Sequence, residues 1–145
     1  LQVALLADLA DAQTEAKEGD IEITDALAKR IEALNARHRR KALLGPFHLL
    51  MRPRLFNPGE GCWMAWERKR GKLEQFNRLL VEGDWAAFSL HVGDRAAMQD
   101  IAFVVTVDAD TMLPPGSVKR LVGTITHPLN RPRLDIASGR VTRGY

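Results

Sequence analysis

The sequence predicts an α/β protein with a mainly parallel sheet. Three observations carry this. Short apolar segments alternate with longer stretches in which apolar residues recur every three or four positions, the pattern of strands set between helices. The segment 101–107 is apolar, β-branched and without alternation, as expected of a strand buried on both faces of a parallel sheet. It stops on Asp108 and Asp110, and open α/β sheets bind ligands beyond the carboxyl ends of their strands.

Each element follows in order. Val3, Ala4, Leu5 and Leu6 form a short strand that ends on Asp8, with Asp11 and a polar loop after it. Thr24 suits the N-cap of a helix over 25–39. Leu27, Ile31 and Leu34 share one face of it. Gly45 and Pro46 break the chain before a second strand over 47–51. The stretch 52–61 holds Pro53, Pro58, Gly59 and Gly61 and reads as loop.

A helix follows within 63–81, with Trp66, Leu73, Phe76 and Leu80 as its inward stripe and Gly83 at its end. The stretch 85–100 has no clear period and leads to the strand at 101–107. Pro114 and Pro115 favour a helix start, with Val118, Leu121 and Val122 as the buried side. A last strand is expected over 134–141.

Composition bounds the class. The 145 residues suffice for one domain with a real core. Hydrophobic residues at 46% and charged residues at 27% argue against disorder. No run approaches the ~18 apolar residues of a membrane span. No secretory leader is recognisable. Cys62 is the single cysteine, so an internal disulfide is excluded. The chain opens at Leu1 and closes at Tyr145 without polar tails, so residues 1–145 read as an internal piece of one larger domain. An exposed sheet edge in such a piece would favour self-association.

Several residues could carry chemistry. Asp108 and Asp110 at i, i+2 can approach one hard divalent cation; they would serve equally as turn formers. Asp8 and Asp11, after the first strand, can hydrogen-bond a nucleoside or shape a turn.

Arg68, Lys69, Arg70 and Lys72 surround Gly71. Glycine inside a helix costs about 1 kcal/mol against alanine, so either something packs close to it or the helix begins there. This basic start fits phosphate, or a solvated face. Further basic groups lie at Arg37, Arg39, Arg40 and Lys41, and at Arg131, Arg133, Arg140 and Arg143. They leave open a nucleic-acid-binding module or a non-catalytic scaffold. Cys62, Trp63 and Trp66 read as packing residues, and the four histidines lack zinc-ligand spacing.

Four segments in order then look familiar. They are Asn57-Pro58-Gly59-Glu60-Gly61, the run from Trp63 and Trp66 through Arg70-Gly71-Lys72-Leu73, Val107-Asp108-Ala109-Asp110, and His127-Pro128-Leu129-Asn130-Arg131-Pro132. With Gly139-Arg140-Val141-Thr142-Arg143-Gly144-Tyr145, they resemble the glycosyltransferase domain of bacterial cyclic β-1,2-glucan synthases.

The resemblance implies a Rossmann-like, partial nucleotide-diphospho-sugar transferase (GT-A) fold. It implies an inverting, membrane-associated glucosyltransferase facing the bacterial cytoplasm, with UDP-glucose as donor, a β-1,2-glucan acceptor and no nucleic acid. A divalent cation, Mg²⁺ or Mn²⁺, would sit on Asp108 and Asp110. Asp8 and Asp11 match the segment near the nucleoside, and Arg70, Lys72 and Asn77 the stretch that approaches the sugar nucleotide. The general base is expected beyond Tyr145 and the uracil-lining strand before Leu1. The piece alone is therefore expected to be inactive.

Overall fold

The computed structural model describes residues 1–38 and 45–144. Arg39, Arg40 and Lys41 of the first basic group, and Tyr145, lie outside the described residues. The chain divides into two units, Leu1–Ile101 and Ala102–Tyr145.

The first unit is built on strand β2 (Phe47–Arg52). It pairs in parallel with β1 (Val3–Asp8) and is joined to it through helix α1 (Asp20–His38). Parallel strands need such a crossover. On its other edge β2 pairs antiparallel with β5 (Leu90–Val92). Between them in sequence lie the hairpin β3 (Leu55–Asn57) and β4 (Cys62–Met64), then helix α2 (Arg68–Glu82).

The apolar residues of β2, Phe47, Leu49, Leu50 and Met51, explain its place. His48, Leu49 and Leu50 are fully buried. Leu50 packs with Phe76 and Leu79 of α2 and with Met98. Leu49 and Met51 pack on the opposite face with Ile31 of α1. One helix therefore covers each face of the sheet. Asn35 ties α1 to the sheet: its side chain donates to the Phe47 carbonyl at 2.7 Å and accepts from the Phe47 amide at 2.8 Å.

The second unit holds helix α3 (Ser117–Ile125) and the hairpin β6 (Arg133–Asp135) with β7 (Arg140–Arg143). Asn130 caps α3 by donating to the Thr124 carbonyl at 2.7 Å.

Several expectations are corrected. The sheet is mixed: β1–β2 is its parallel ladder, and β2–β5 and both hairpins are antiparallel. The run 101–107 is no strand, and Phe103, Val104, Val105 and Val107 are exposed. An apolar strand without alternation needs ladder partners on both edges and cover on both faces. Among the described residues none pairs with this run.

Helix α1 starts at Asp20, and Thr24 lies inside it, its hydroxyl donating to the Asp20 carbonyl at 2.7 Å. The stretch 52–61 includes the first strand of a hairpin. The segment 134–141 holds two strand ends joined by a turn, because Asp135 accepts from the Ala137 amide and the Ser138 hydroxyl. Val118, Leu121 and Val122 lie on α3, but no residue of that helix is buried. Trp66 precedes α2 and is 39% exposed.

Candidate functional site

The parallel register sets Asp8 beside Arg52 at the carboxyl ends of β1 and β2. Both are charged groups that end apolar strands, so they must be paired where they are buried. Arg52 is 2% exposed. Its Nε donates to Asp8 Oδ1 and its Nη2 to Asp8 Oδ2, both at 2.8 Å. This is the two-pronged arginine–carboxylate geometry. Arg52 also donates to Gln75 Oε1 at 2.8 Å, the Trp66 carbonyl at 2.9 Å and the Arg68 carbonyl at 2.8 Å.

Those two carbonyls flank an unusual turn. Glu67 and Arg68 have φ of 51° and 43°, left-handed backbone that costs non-glycine residues energy. Arg52 therefore holds a strained entry into α2 while neutralising Asp8.

Lys72, in the first turns of α2, closes the group. Its Nζ lies 2.9 Å from Asp8 Oδ2 and donates to the Leu6 carbonyl at 3.3 Å. Two cations thus face one carboxylate, which leaves an excess positive charge at the mouth. Burial pushes the Asp8 carboxyl up, but the hydrogen bonds from Arg52 and Lys72 outweigh it and hold it below the usual range.

A second group lies beside it. Arg68 donates to Asp11 at 3.0 Å and to both carboxylate oxygens of Glu60. Glu60 comes from the β3–β4 turn, which Asn57 shapes by accepting from the Gly59 amide at 2.9 Å. The hydrogen bond from Arg68 holds the Glu60 carboxyl down, and Glu60 in turn raises Arg68. A third pair, Arg54 with Asp20 at 2.5 Å, anchors the start of α1, and Arg54 also donates to the Ala10 carbonyl at 2.7 Å.

Gly71 now has its reason. A Cβ there would lie 2.1 Å from the Trp66 carbonyl oxygen and 2.7 Å from the Trp66 ring. The close neighbour is the chain's own turn.

Among the residues expected at the site, Asp8 and Lys72 meet directly. Asp11 pairs with Arg68 instead. Arg70 is largely exposed and lies 3.4 Å from Glu67. Asn77 is exposed on α2. Asp108 and Asp110 are exposed in the second unit, where the Thr111 amide donates to the Asp108 carbonyl at 2.9 Å. Among the described residues no group of three or more histidines, cysteines or acids could hold a metal ion.

Sequence reasoning missed Arg52, Arg54 and Gln75. The available signal was Arg52-Pro53-Arg54 at the end of an apolar strand, a place where a charge must find a partner.

Fold and site together define a mixed α/β protein with a closed aspartate–arginine–lysine network at the carboxyl end of its parallel strands. The chain is 39% identical over 142 residues to the cyclic β-(1,2)-glucan synthase NdvB of Rhizobium meliloti strain 1021. The resemblance to the cyclic glucan synthases is thus shown over 98% of this chain, which spans 5% of that protein. No family model matches the chain. Among the described residues no helix is long and apolar enough to cross a membrane.

Proposed function

We propose that this chain is part of a glucan-synthesising glycosyltransferase that transfers glucose from UDP-glucose, with inversion, onto a β-1,2-glucan acceptor. The supporting observation is the likeness along nearly the whole chain to a protein named for cyclic glucan synthesis. A GT-A fold, with the donor bound beyond the carboxyl ends of the strands, is part of the same proposal. The parent would work at the cytoplasmic face of the inner membrane through regions beyond this chain. The general base would also lie beyond Tyr145.

Asp108 and Asp110 suit a hard cation of the magnesium type, which takes one or two carboxylates plus substrate phosphates. Such an ion supplies charge neutralisation to a leaving diphosphate.

The chain's own residues would do the rest. The excess cation of the Asp8–Arg52–Lys72 group lies on the Lys72 ammonium, 22% exposed, where it can draw an anionic ligand toward the strand ends. Asp8, Asp11, Arg70 and Asn77 remain the proposed donor-side contacts. Asp8 acts here as the counter-ion that sets the Lys72 position.

The test is turnover of UDP-glucose by the full-length enzyme. Asp108→Asn and Asp110→Asn should abolish glucan synthesis with folding unchanged. Lys72→Ala should lower kcat/KM by at least about a hundredfold, the scale of a lost electrostatic donor. Lys29→Ala, an exposed charge on α1, should be near neutral. Full turnover in both aspartate variants would remove the cation role.

A further inference from the structure

The β6–β7 hairpin carries an arrangement that the transferase reading does not use. Arg133 and Arg143 are cross-strand partners beside a register shift between Arg133 and Leu134, where Thr142 is the extra residue, and Asp135 pairs with Arg140 in the same ladder. Alternation along β6 puts Arg133 and Asp135 on one face, with Leu134 and Val141 on the other. Like charges directly opposite each other destabilise a ladder, so a carboxylate would normally separate them.

Here the one acid on that face is engaged elsewhere. Asp135 accepts from the Ala137 amide at 3.1 Å and the Ser138 hydroxyl at 2.7 Å, which shape the turn. Those hydrogen bonds, Ser138 first, hold its carboxyl below the usual range. Among the described residues Arg133, Arg140 and Arg143 have no ion-pair partner, and all three are exposed.

The imbalance extends beyond the hairpin. Residues 102–145 hold six lysines and arginines against three aspartates, so the whole net charge of +3 falls there. Residues 1–101 are balanced.

We propose that the arginine face of the β6–β7 hairpin binds a phosphate-bearing ligand. Guanidinium forks match the oxygens of phosphoryl groups, and a bound anion would relieve the repulsion among the exposed arginines of the hairpin. This goes beyond the transferase reading, because it needs neither Asp108 nor a cation. A free diphosphate and a lipid headgroup share this chemistry.

The experiment is a metal-free titration of the chain with inorganic pyrophosphate, followed by NMR of the arginine Nε–H groups. A parallel arm measures sedimentation with phosphatidylglycerol–phosphatidylcholine vesicles. Binding should saturate in one arm, which identifies the source. Arg133→Gln with Arg143→Gln should weaken it at least about tenfold. Arg133→Lys with Arg143→Lys should recover only part, since charge returns without the fork. Arg120→Gln on α3 should leave it unchanged. Melting temperature should not fall in the double glutamine variant, because the opposed charges are gone. No binding in either arm, or equal loss in Arg120→Gln, overturns the proposal.

Discussion

Arg52 shows how much one buried side chain can decide. It satisfies Asp8, Gln75 and two carbonyls at once. Its loss leaves Gln75 and two carbonyls without their donor, at about 1–3 kcal/mol for each buried group, while Lys72 still compensates Asp8. Arg52→Met should therefore lose stability on that scale in urea unfolding. Arg52→Met combined with Asp8→Asn should recover little, because Lys72 still compensates Asp8 in the single variant and loses its counter-ion in the double. A double variant much more stable than the single would mean that Lys72 alone does not compensate Asp8.

Gly71 makes the complementary point about a buried residue that has no side chain. Exposed helical Gly→Ala changes usually stabilise by up to about 1 kcal/mol. Here the new methyl would run into the Trp66 carbonyl and ring, and backbone cannot yield cheaply. Gly71→Ala should destabilise, and a gain in the urea midpoint would show that the turn relaxes freely. The sequence narrowed the meaning of this glycine to close packing or a helix start. It could not say that the packed group is its own neighbour, because the left-handed turn at Glu67 and Arg68 follows no local propensity.

At the scale of elements, the β2–β5 edge is the part of the fold most exposed to acid. His48 of β2 and His91 of β5 stack with ring centroids 5.8 Å apart. His48 Nδ1 and His91 Nε2 are buried and have no hydrogen-bond partner among the described residues. Burial lowers both imidazoles. His91 falls to about 4, with the charges of His48 and Arg95 adding and Asp94 opposing.

The unfolded chain therefore takes up these protons near the ordinary histidine value of 6.5, while the folded chain takes them up only at lower pH, His91 at about 4. Stability should rise with pH across that window and fall as pH drops through it. Asp8, held below 3.8, contributes stability above its unfolded value and loses it only at still lower pH. Urea midpoints should thus decline between pH 7 and 5 through the histidines, and His91→Phe should flatten that slope. An unchanged slope would assign the acid sensitivity to other groups.

The junction of α1 with β2 is the second element-scale device. Asn35 closes two hydrogen bonds on the Phe47 backbone. Asn35→Ala should cost about 1–3 kcal/mol, since it strands a buried donor and acceptor. Asn35→Asp should cost at least as much, because a buried carboxylate oxygen would face the Phe47 carbonyl with no proton to donate. Both values are read from thermal unfolding.

Across the whole molecule, the two units differ in how their apolar residues are used. Strand β2 is buried along nearly its full length, whereas Met112, Leu129 and Ile136 in the second unit are at least 75% exposed. Backbone amides at 103–107 lie outside every ladder among the described residues. They should exchange with deuterium far faster than those of β2, by hydrogen-exchange mass spectrometry. Slow exchange at 103–107 would mean that the chain pairs this run in solution.

Sequence alone settled what depends on short range. Strand β2 was legible because Gly45 and Pro46 break the chain just before a short, mostly apolar segment. The end of α2 at Gly83 was legible from the left-handed glycine cap, φ 71°. The likeness to the cyclic glucan synthases was legible from motifs in a fixed order. Tertiary structure alone decided the partners. The run 101–107 has a strand's composition, but a strand exists only where another backbone accepts its hydrogen bonds, and that is a non-local fact. Arg52 and Lys72 lie 44 and 64 residues along the chain from Asp8. They meet only because β1 and β2 run parallel in one register with α2 across their ends, so no spacing along the chain could have named Arg52 as the centre of the site.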